Sequence, residues 1–201
     1  MTGPLTGVSG ELAKMLSGQP YDARAPQLLA LAHRARNLTT RFNALPSIET
    51  GQRFALLQQL LGVVGEGAWI ETPFFCDYGS NIDLGAHTFI HTGAVMLDSA
   101  LIRIGKHGLI GPGVHIYTAF HATKADERRA AGWTPASPAA PYRTMAKPVV
   151  IGDECWIGGG AIIMPGVTVG DRTTVGAGSV VTRDLPADSV AVGNPAVVRT
   201  Q

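Results

Sequence analysis

The 201 residues carry 16 Lys and Arg against 15 Asp and Glu, a net charge of +1, with 45% apolar and only 15% charged residues. That balance excludes a basic footprint for nucleic acid or an acidic membrane surface, and two cysteines far apart, Cys76 and Cys155, exclude a disulfide scaffold or a zinc–cysteine site. No apolar stretch approaches the roughly 20 residues of a membrane span, and Met1 to Gly10 lacks the pattern of a signal peptide, so a cytoplasmic, reducing setting is expected.

The first part of the chain reads as helices. Glu11 to Leu16 is a short candidate. Pro26 stands where a helix can begin, because its missing N–H is not needed there. Leu28, Leu31, Ala32, Ala35, Leu38 and Phe42 then recur at three- and four-residue spacing on one face. Pro46 interrupts. Ser47 or Thr50 can cap a third helix, with Phe54, Leu57 and Leu61 on its apolar face and Gly62 near its end. A helical segment over 1–67 is therefore expected, packed against a larger domain over 68–201.

The second part obeys another rule. Ile151, Ile157, Ile163, Val169, Val175 and Val181 return every six positions. Six residues turn an α-helix by about 600°, which keeps no single face. A coil with short strands and a corner every six residues does satisfy the period, three faces making about 18 residues per coil stacked at the ~4.8 Å strand spacing. Earlier the rule holds with slips: Ile70, Cys76 and Ile82; then Leu84, Ile90, Met96 and Ile102; then Ile104, Ile110 and Ile116. Each slip is a two-residue insertion at a corner. The pattern stops over about 119–147, a stretch with Arg128, Arg129, Trp133 and three prolines. That reads as one long excursion, and such loops in compact domains are commonly functional.

These residues resemble the hexapeptide-repeat acyltransferases, specifically the maltose, galactoside and nodulation-type sugar O-acetyltransferases. Met15-Leu-Ser-Gly18, Tyr21-Asp22 and Arg41-Phe42-Asn43 are similar to that family's N-terminal helical segment. Cys76-Asp-Tyr-Gly-Ser-Asn-Ile82 is similar to its first coil. Ile151-Gly-Asp-Glu-Cys-Trp-Ile-Gly-Gly-Gly160, Gly176-Ala-Gly-Ser-Val-Val-Thr182 and Gly193-Asn-Pro-Ala196 are similar to its last coils. The resemblance covers nearly the whole chain. It implies a mainly β fold, a left-handed parallel β-helix with an N-terminal helical segment and one long loop. It also implies a homotrimer with its active sites in the clefts between neighbouring prisms, acetyl-CoA as co-substrate, no metal, and a small hydroxyl acceptor of the sugar type.

Acetyl transfer from a thioester to an alcohol needs a base for the hydroxyl proton, donors for the oxyanion, and close alignment of both substrates. Histidine suits the base, with an ordinary pKa near 6.5. Of six histidines, His121 matches the family's catalytic position, at the end of Ile116-Tyr-Thr-Ala-Phe-His121 and the root of the excursion. His33 reads as helix surface, and His87 and His107 as equivalent corners of adjacent coils. His115, six residues before His121, should lie one face away from it. The resemblance gives Asp77, Asp22 and His91 as acceptor contacts, His91 standing where the family carries asparagine and Ser99 where galactoside-type relatives carry a second acid. Asp77 could instead be a turn residue and Asp22 a helix cap. The backbone near Gly159 is the oxyanion candidate, because glycine admits close approach. Trp156 could pack on the pantetheine arm or in an interface, and Ala177, Thr182, Arg183 and Arg199 match CoA contacts, an arginine pairing with phosphate.

Three other readings compete. A related hexapeptide enzyme could acetylate a drug-like hydroxyl compound, which a panel of acceptors separates. A zinc-dependent hydratase of the γ-carbonic-anhydrase type would need three histidine ligands, which metal analysis tests. A non-catalytic trimeric scaffold would bind no acetyl-CoA.

Overall fold

The computed structural model describes residues 10–199. Three helices come first: α1 (Glu11–Leu16), α2 (Pro26–Ala44) and α3 (Thr50–Leu60). Pro26 is the first residue of α2, whose buried stripe is Leu28, Ala32, Ala35, Leu38, Thr39 and Phe42. The third helix departs from expectation. Glu49, not Ser47 or Thr50, precedes it, and no side chain caps it. Its buried face is Arg53, Leu56, Leu57 and Leu60, while Phe54 is only half-buried. Arg53 takes the inward place because its guanidinium lies over the Phe42 ring (5.2 Å) and the Trp69 ring (4.9 Å) and donates to the Ile70 carbonyl at 3.1 Å. Aromatic faces, a backbone oxygen and the Glu71 carboxylate at 3.7 Å offset part of the water that a buried cation gives up, and Nε has no partner among the described residues.

From Val63 onward the chain winds a parallel β-helix with three faces. The first face stacks Val63–Val64, Ile82–Leu84, Ile102–Ile104, Val149–Ile151 and Thr168–Val169. The second stacks Trp69–Ile70, Phe89–Ile90, Leu109–Ile110, Trp156–Ile157, Thr174–Val175 and Val190–Gly193, and the third Phe74–Cys76, Ala94–Leu97, His115–Tyr117, Ile162–Ile163 and Val180–Val181. The prism thus starts a few residues before the expected boundary at 68. A two-residue strand is too short to announce itself by period.

The register explains the slips. Ile70, Ile90 and Ile110 stack at intervals of 20 residues, whereas Ile157 and Val175 stand 18 apart. The two extra residues sit at corners and leave the inward columns aligned. One column, Ile70, Ile90, Ile110, Ile157, Val175 and Ala191, is at most 1% exposed throughout. Ile157→Ala should therefore cost about 3–4 kcal/mol, read as a lowered urea midpoint with unchanged m-value.

The helices share the prism's core: Ala35, Leu38, Phe42, Leu57, Leu60 and Leu61 belong to the same buried cluster as Ile70, Phe74 and Ile82. They close the first coil. The last coil is closed by Ala196–Val198, which turns back antiparallel on Val190–Gly193.

Corners differ in chemistry. Between the first and second faces each coil holds one residue with positive φ: Gly67, His87, His107, Glu154, Arg172 and Asp188. Five of these six are not glycine, although L side chains pay about 1–2 kcal/mol in that region. Their side chains form a ladder, His87 stacked on His107 at 5.2 Å and Arg172 paired bidentately with Asp188 at 2.6 and 2.7 Å. His87 and His107 thus occupy the equivalent corners that the sequence assigns them.

The outer surfaces differ too. The first face shows Asp83 and Arg103, 3.9 Å apart. The second shows Trp69, Phe89, Leu109 and Trp156 in one row, and the third Phe75, Val95, His115 and Ile162. Leu109, Trp156 and Phe75 are each about half exposed, at 47%, 54% and 50%.

Candidate active site

The excursion leaves the prism after His115–Tyr117 at the edge between third and first faces. Its neck is a short antiparallel ladder, Ala119 opposite Ala146 and Phe120 opposite Met145. Beyond it lies α4 (Ala125–Arg128), and a bridge joins Arg129 to Tyr142.

The neck fixes His121. Its Nδ1 lies 2.7 Å from the backbone carbonyl of Arg143, on the returning arm. A carbonyl can only accept, so Nδ1 carries the proton and donates it. In the neutral ring Nε2 then keeps its lone pair. The ring is exposed and stands edge-on to Tyr142, centroids 6.4 Å apart.

The N-terminal segment docks on this arm. Tyr21 N–H donates to the Thr144 carbonyl at 3.0 Å. Asp22 Oδ1 accepts from the N–H of Arg24 and of Ala140, both at 2.9 Å. So Asp22 pins the excursion with one oxygen, while Oδ2 makes no hydrogen bond among the described residues. A cleft of about 400 Å3 opens here, lined by Glu11, Lys14, Tyr21, Asp22, Tyr142 and Arg143.

Asp77 sits at the same edge, lower in the prism. Its turn is held by Asp98, a fully buried carboxylate that accepts the N–H groups of Asp77 (3.1 Å), Tyr78 (2.8 Å) and Asn81 (3.2 Å). Asp98 is a supporting residue whose part in shaping this turn was missed in the sequence, since nothing in the linear pattern shows that a corner carboxylate reaches back 20 residues. Burial, aided by the charge of Asp98 and opposed by Arg36, pushes the Asp77 carboxyl up to about 6.

That shift has a sign. A carboxyl with a folded pKa above its ordinary 3.8 favours the folded state when protonated. Its contribution is fully present below about pH 4 and is lost as pH rises through 6. Asp77→Asn should therefore leave stability unchanged at pH 4 and raise it by about 1–3 kcal/mol at pH 8, measured by urea titration at both values.

Other candidates lie elsewhere. Gly159 stands on the edge between second and third faces. There Gly158 N–H donates to Val175 and Gly160 N–H to Pro112, so Gly159 has the one amide of the three without a partner among the described residues. A Cβ on Gly158 would lie 2.5 Å from the Ala177 nitrogen, and one on Gly159 3.1 Å from the Pro112 carbonyl. Ala177 shares this edge, Trp156 projects from the second face beside it, and His91 lies on it as well, its Nδ1 accepting from Thr92 N–H at 2.7 Å. Within one chain His91 is therefore parted from Asp77 and Asp22. Thr182 and Arg183 return to the third–first edge, both exposed. Arg199 is at the far side of the second face, its N–H bonded to Val190 at 2.8 Å.

The candidates thus fall into two sets on opposite edges of the third face, about 15–20 Å apart for a six-residue side. His121, Asp77 and Asp22 form one; Gly159, Ala177 and His91 form the other. Among the described residues, no three His, Cys, Asp or Glu side chains cluster to hold a metal. His115 Nδ1 is instead paired with the Tyr117 hydroxyl at 2.6 Å.

Residues 14–65 match the maltose acetyltransferase hexapeptide capping motif, and 148–183 the bacterial transferase hexapeptide of six repeats. Nodulation protein L of Rhizobium meliloti is 44% identical over 186 residues, covering 92% of this chain and 96% of that protein. A maltose O-acetyltransferase from Clostridium difficile has 40% identity and a TM-score of 0.88, covering 96% and 97%. A hexapeptide-repeat acetyltransferase from Vibrio cholerae, solved with acetyl coenzyme A, has 39% identity and a TM-score of 0.83, covering 96% and 98%. The chain belongs to the hexapeptide-repeat acetyltransferases. Its solenoid is their left-handed parallel β-helix, and its helices are the capping segment of the maltose acetyltransferase branch.

Proposed function

We propose that this chain acetylates a hydroxyl of a sugar-like small molecule, using acetyl-CoA, by direct attack with His121 as general base. The orientation of His121 carries the reading: with Nδ1–H held by the Arg143 carbonyl at 2.7 Å, Nε2 is the acceptor atom that an alcohol needs.

As the acceptor oxygen bonds to the thioester carbonyl carbon, its proton passes to Nε2. The carbonyl oxygen becomes an oxyanion, for which the free amide of Gly159 is the donor. The C–S bond then breaks, and the imidazolium returns the proton to the departing CoA sulfur. Asp77 and the free Oδ2 of Asp22 accept hydrogen bonds from acceptor hydroxyls, with His91 as a further donor. Trp156 lies along the pantetheine arm with Ala177 beside it, and Thr182 meets the arm from the facing edge of the neighbouring subunit. Arg183, and Arg199 farther off, meet the CoA phosphates.

The working form is the homotrimer that the family resemblance implies, in which the base and the oxyanion donor, on different edges of one chain, meet across subunits. The apolar second and third faces supply the contact. Two free cysteines suit a reducing cytoplasm.

Thioester consumption over monosaccharides, disaccharides, amino sugars and drug-like alcohols tests this. Acceptor-dependent CoA release is expected for a sugar. Release only with a drug-like alcohol would reassign the acceptor, and no release with any would sink the reading.

A further inference from the structure

A second hollow of about 400 Å3 lies in the excursion, lined by Arg129, Trp133, Pro141 and Tyr142. Tyr142 is the wall it shares with the cleft beside Asp22, and the Tyr142 ring is the one edge-on to His121. A wall of the hollow thus lies 6.4 Å, centroid to centroid, from the base.

Its shape is fixed in advance. Ala130 N–H donates to the Pro141 carbonyl at 3.0 Å, and Arg143 N–H to the Arg128 carbonyl at 2.9 Å. The Trp133 indole N–H is committed to the Ala139 carbonyl at 2.9 Å. What Trp133 offers a ligand is its flat apolar surface, and Pro141 and Tyr142 offer the same. A segment held this way binds at little ordering cost.

One charge stands among these surfaces. Arg128 is tied to the carbonyls of Ala122 and Thr123, and Lys124 to Glu127. The Arg129 guanidinium makes no ion pair and no side-chain hydrogen bond among the described residues, and no acidic side chain lines the hollow. Apolar planes beside an unpaired guanidinium fit a ring that carries an anionic group.

We infer that the Trp133 hollow is a second acceptor subsite, which takes a ring bearing a carboxylate or similar anion attached to the sugar whose hydroxyl His121 serves. The inference rests on the acetyl-transfer reading above. Binding energy gained on the distant ring would be realised as a higher kcat/KM at the reacting hydroxyl.

The test uses methyl, phenyl and 4-carboxyphenyl β-glycosides of glucose, galactose and glucosamine as acceptors. Phenyl should exceed methyl, and 4-carboxyphenyl exceed phenyl, by about tenfold each in kcat/KM. Trp133→Ala should bring the phenyl-to-methyl ratio close to one. Arg129→Gln, at an exposed position that tolerates change, should remove only the carboxylate increment. Equal kcat/KM for the three glycosides, or ratios that survive both substitutions, would overturn the subsite and leave acetyl transfer standing. If no glycoside is acetylated, the acetyl-transfer reading fails, and calorimetry with the 4-carboxyphenyl glycosides then decides the hollow. Binding that needs Arg129 and Trp133 retains it; no binding removes it.

Discussion

Replacing His121 with alanine should lower kcat by about two to four orders of magnitude and leave acetyl-CoA affinity within about twofold by calorimetry. The reason is local. The ring is exposed, and among the described residues it meets the Arg143 carbonyl through Nδ1 and the edge of Tyr142, both on the excursion, so its loss opens no core cavity and the melting temperature should hold. Added imidazole should restore part of the lost rate, since a small base can enter the space left behind. A merely structural histidine would show no such rescue. An alanine variant with unchanged turnover would remove the mechanism.

A mixture of two inactive chains should regain activity. His121→Ala removes the base, and Gly159→Val covers the free amide on the other edge of the third face. If each site draws its base from one chain and its oxyanion donor from the next, a refolded equimolar mixture forms about one quarter of its sites from two intact edges. About a quarter of wild-type turnover is then expected, against almost none for either variant alone. Mixing without refolding, which leaves subunits unexchanged, should give no recovery. If the refolded mixture stays as inactive as its parts, both edges serve a site within one chain, and the intersubunit cleft is wrong.

Much of the fold was readable because one physical rule repeats: an inward apolar residue every six, with two-residue insertions confined to corners. Ile151 to Val181 show it without a slip, and each of those residues is buried. The helices were readable where a stripe and a proline coincide, as at Pro26. They were not where a polar residue is buried. Arg53 hides under two aromatic rings contributed by α2 and by the first coil, and no local pattern distinguishes it from a surface arginine. Cys76 takes its expected place in the inward column with Met96 and Ile116, half-buried, with α2 beside it and the Thr39 hydroxyl 3.8 Å from its sulfur.

For the site, the family resemblance put His121 forward, at the root of the excursion. It could not tell which atom of the ring is free, because that depends on Arg143, 22 residues away. Nor could it choose among three glycine amides, since the choice depends on the partners of Gly158 and Gly160 in other coils. Grouping His91 with Asp77 and Asp22 followed family positions, whereas the corner count places it on the opposite edge of one chain.

The antiparallel return of Ala196–Val198 has a bearing on solubility. A column of parallel strands ends in a row of open amides and carbonyls, which invites another such column to dock end-on and continue. A strand running the reverse way, kept to three residues, offers the newcomer a mismatched and short ledge. Removing it would convert a finished object into a growing one, with filaments rather than unfolded protein as the outcome.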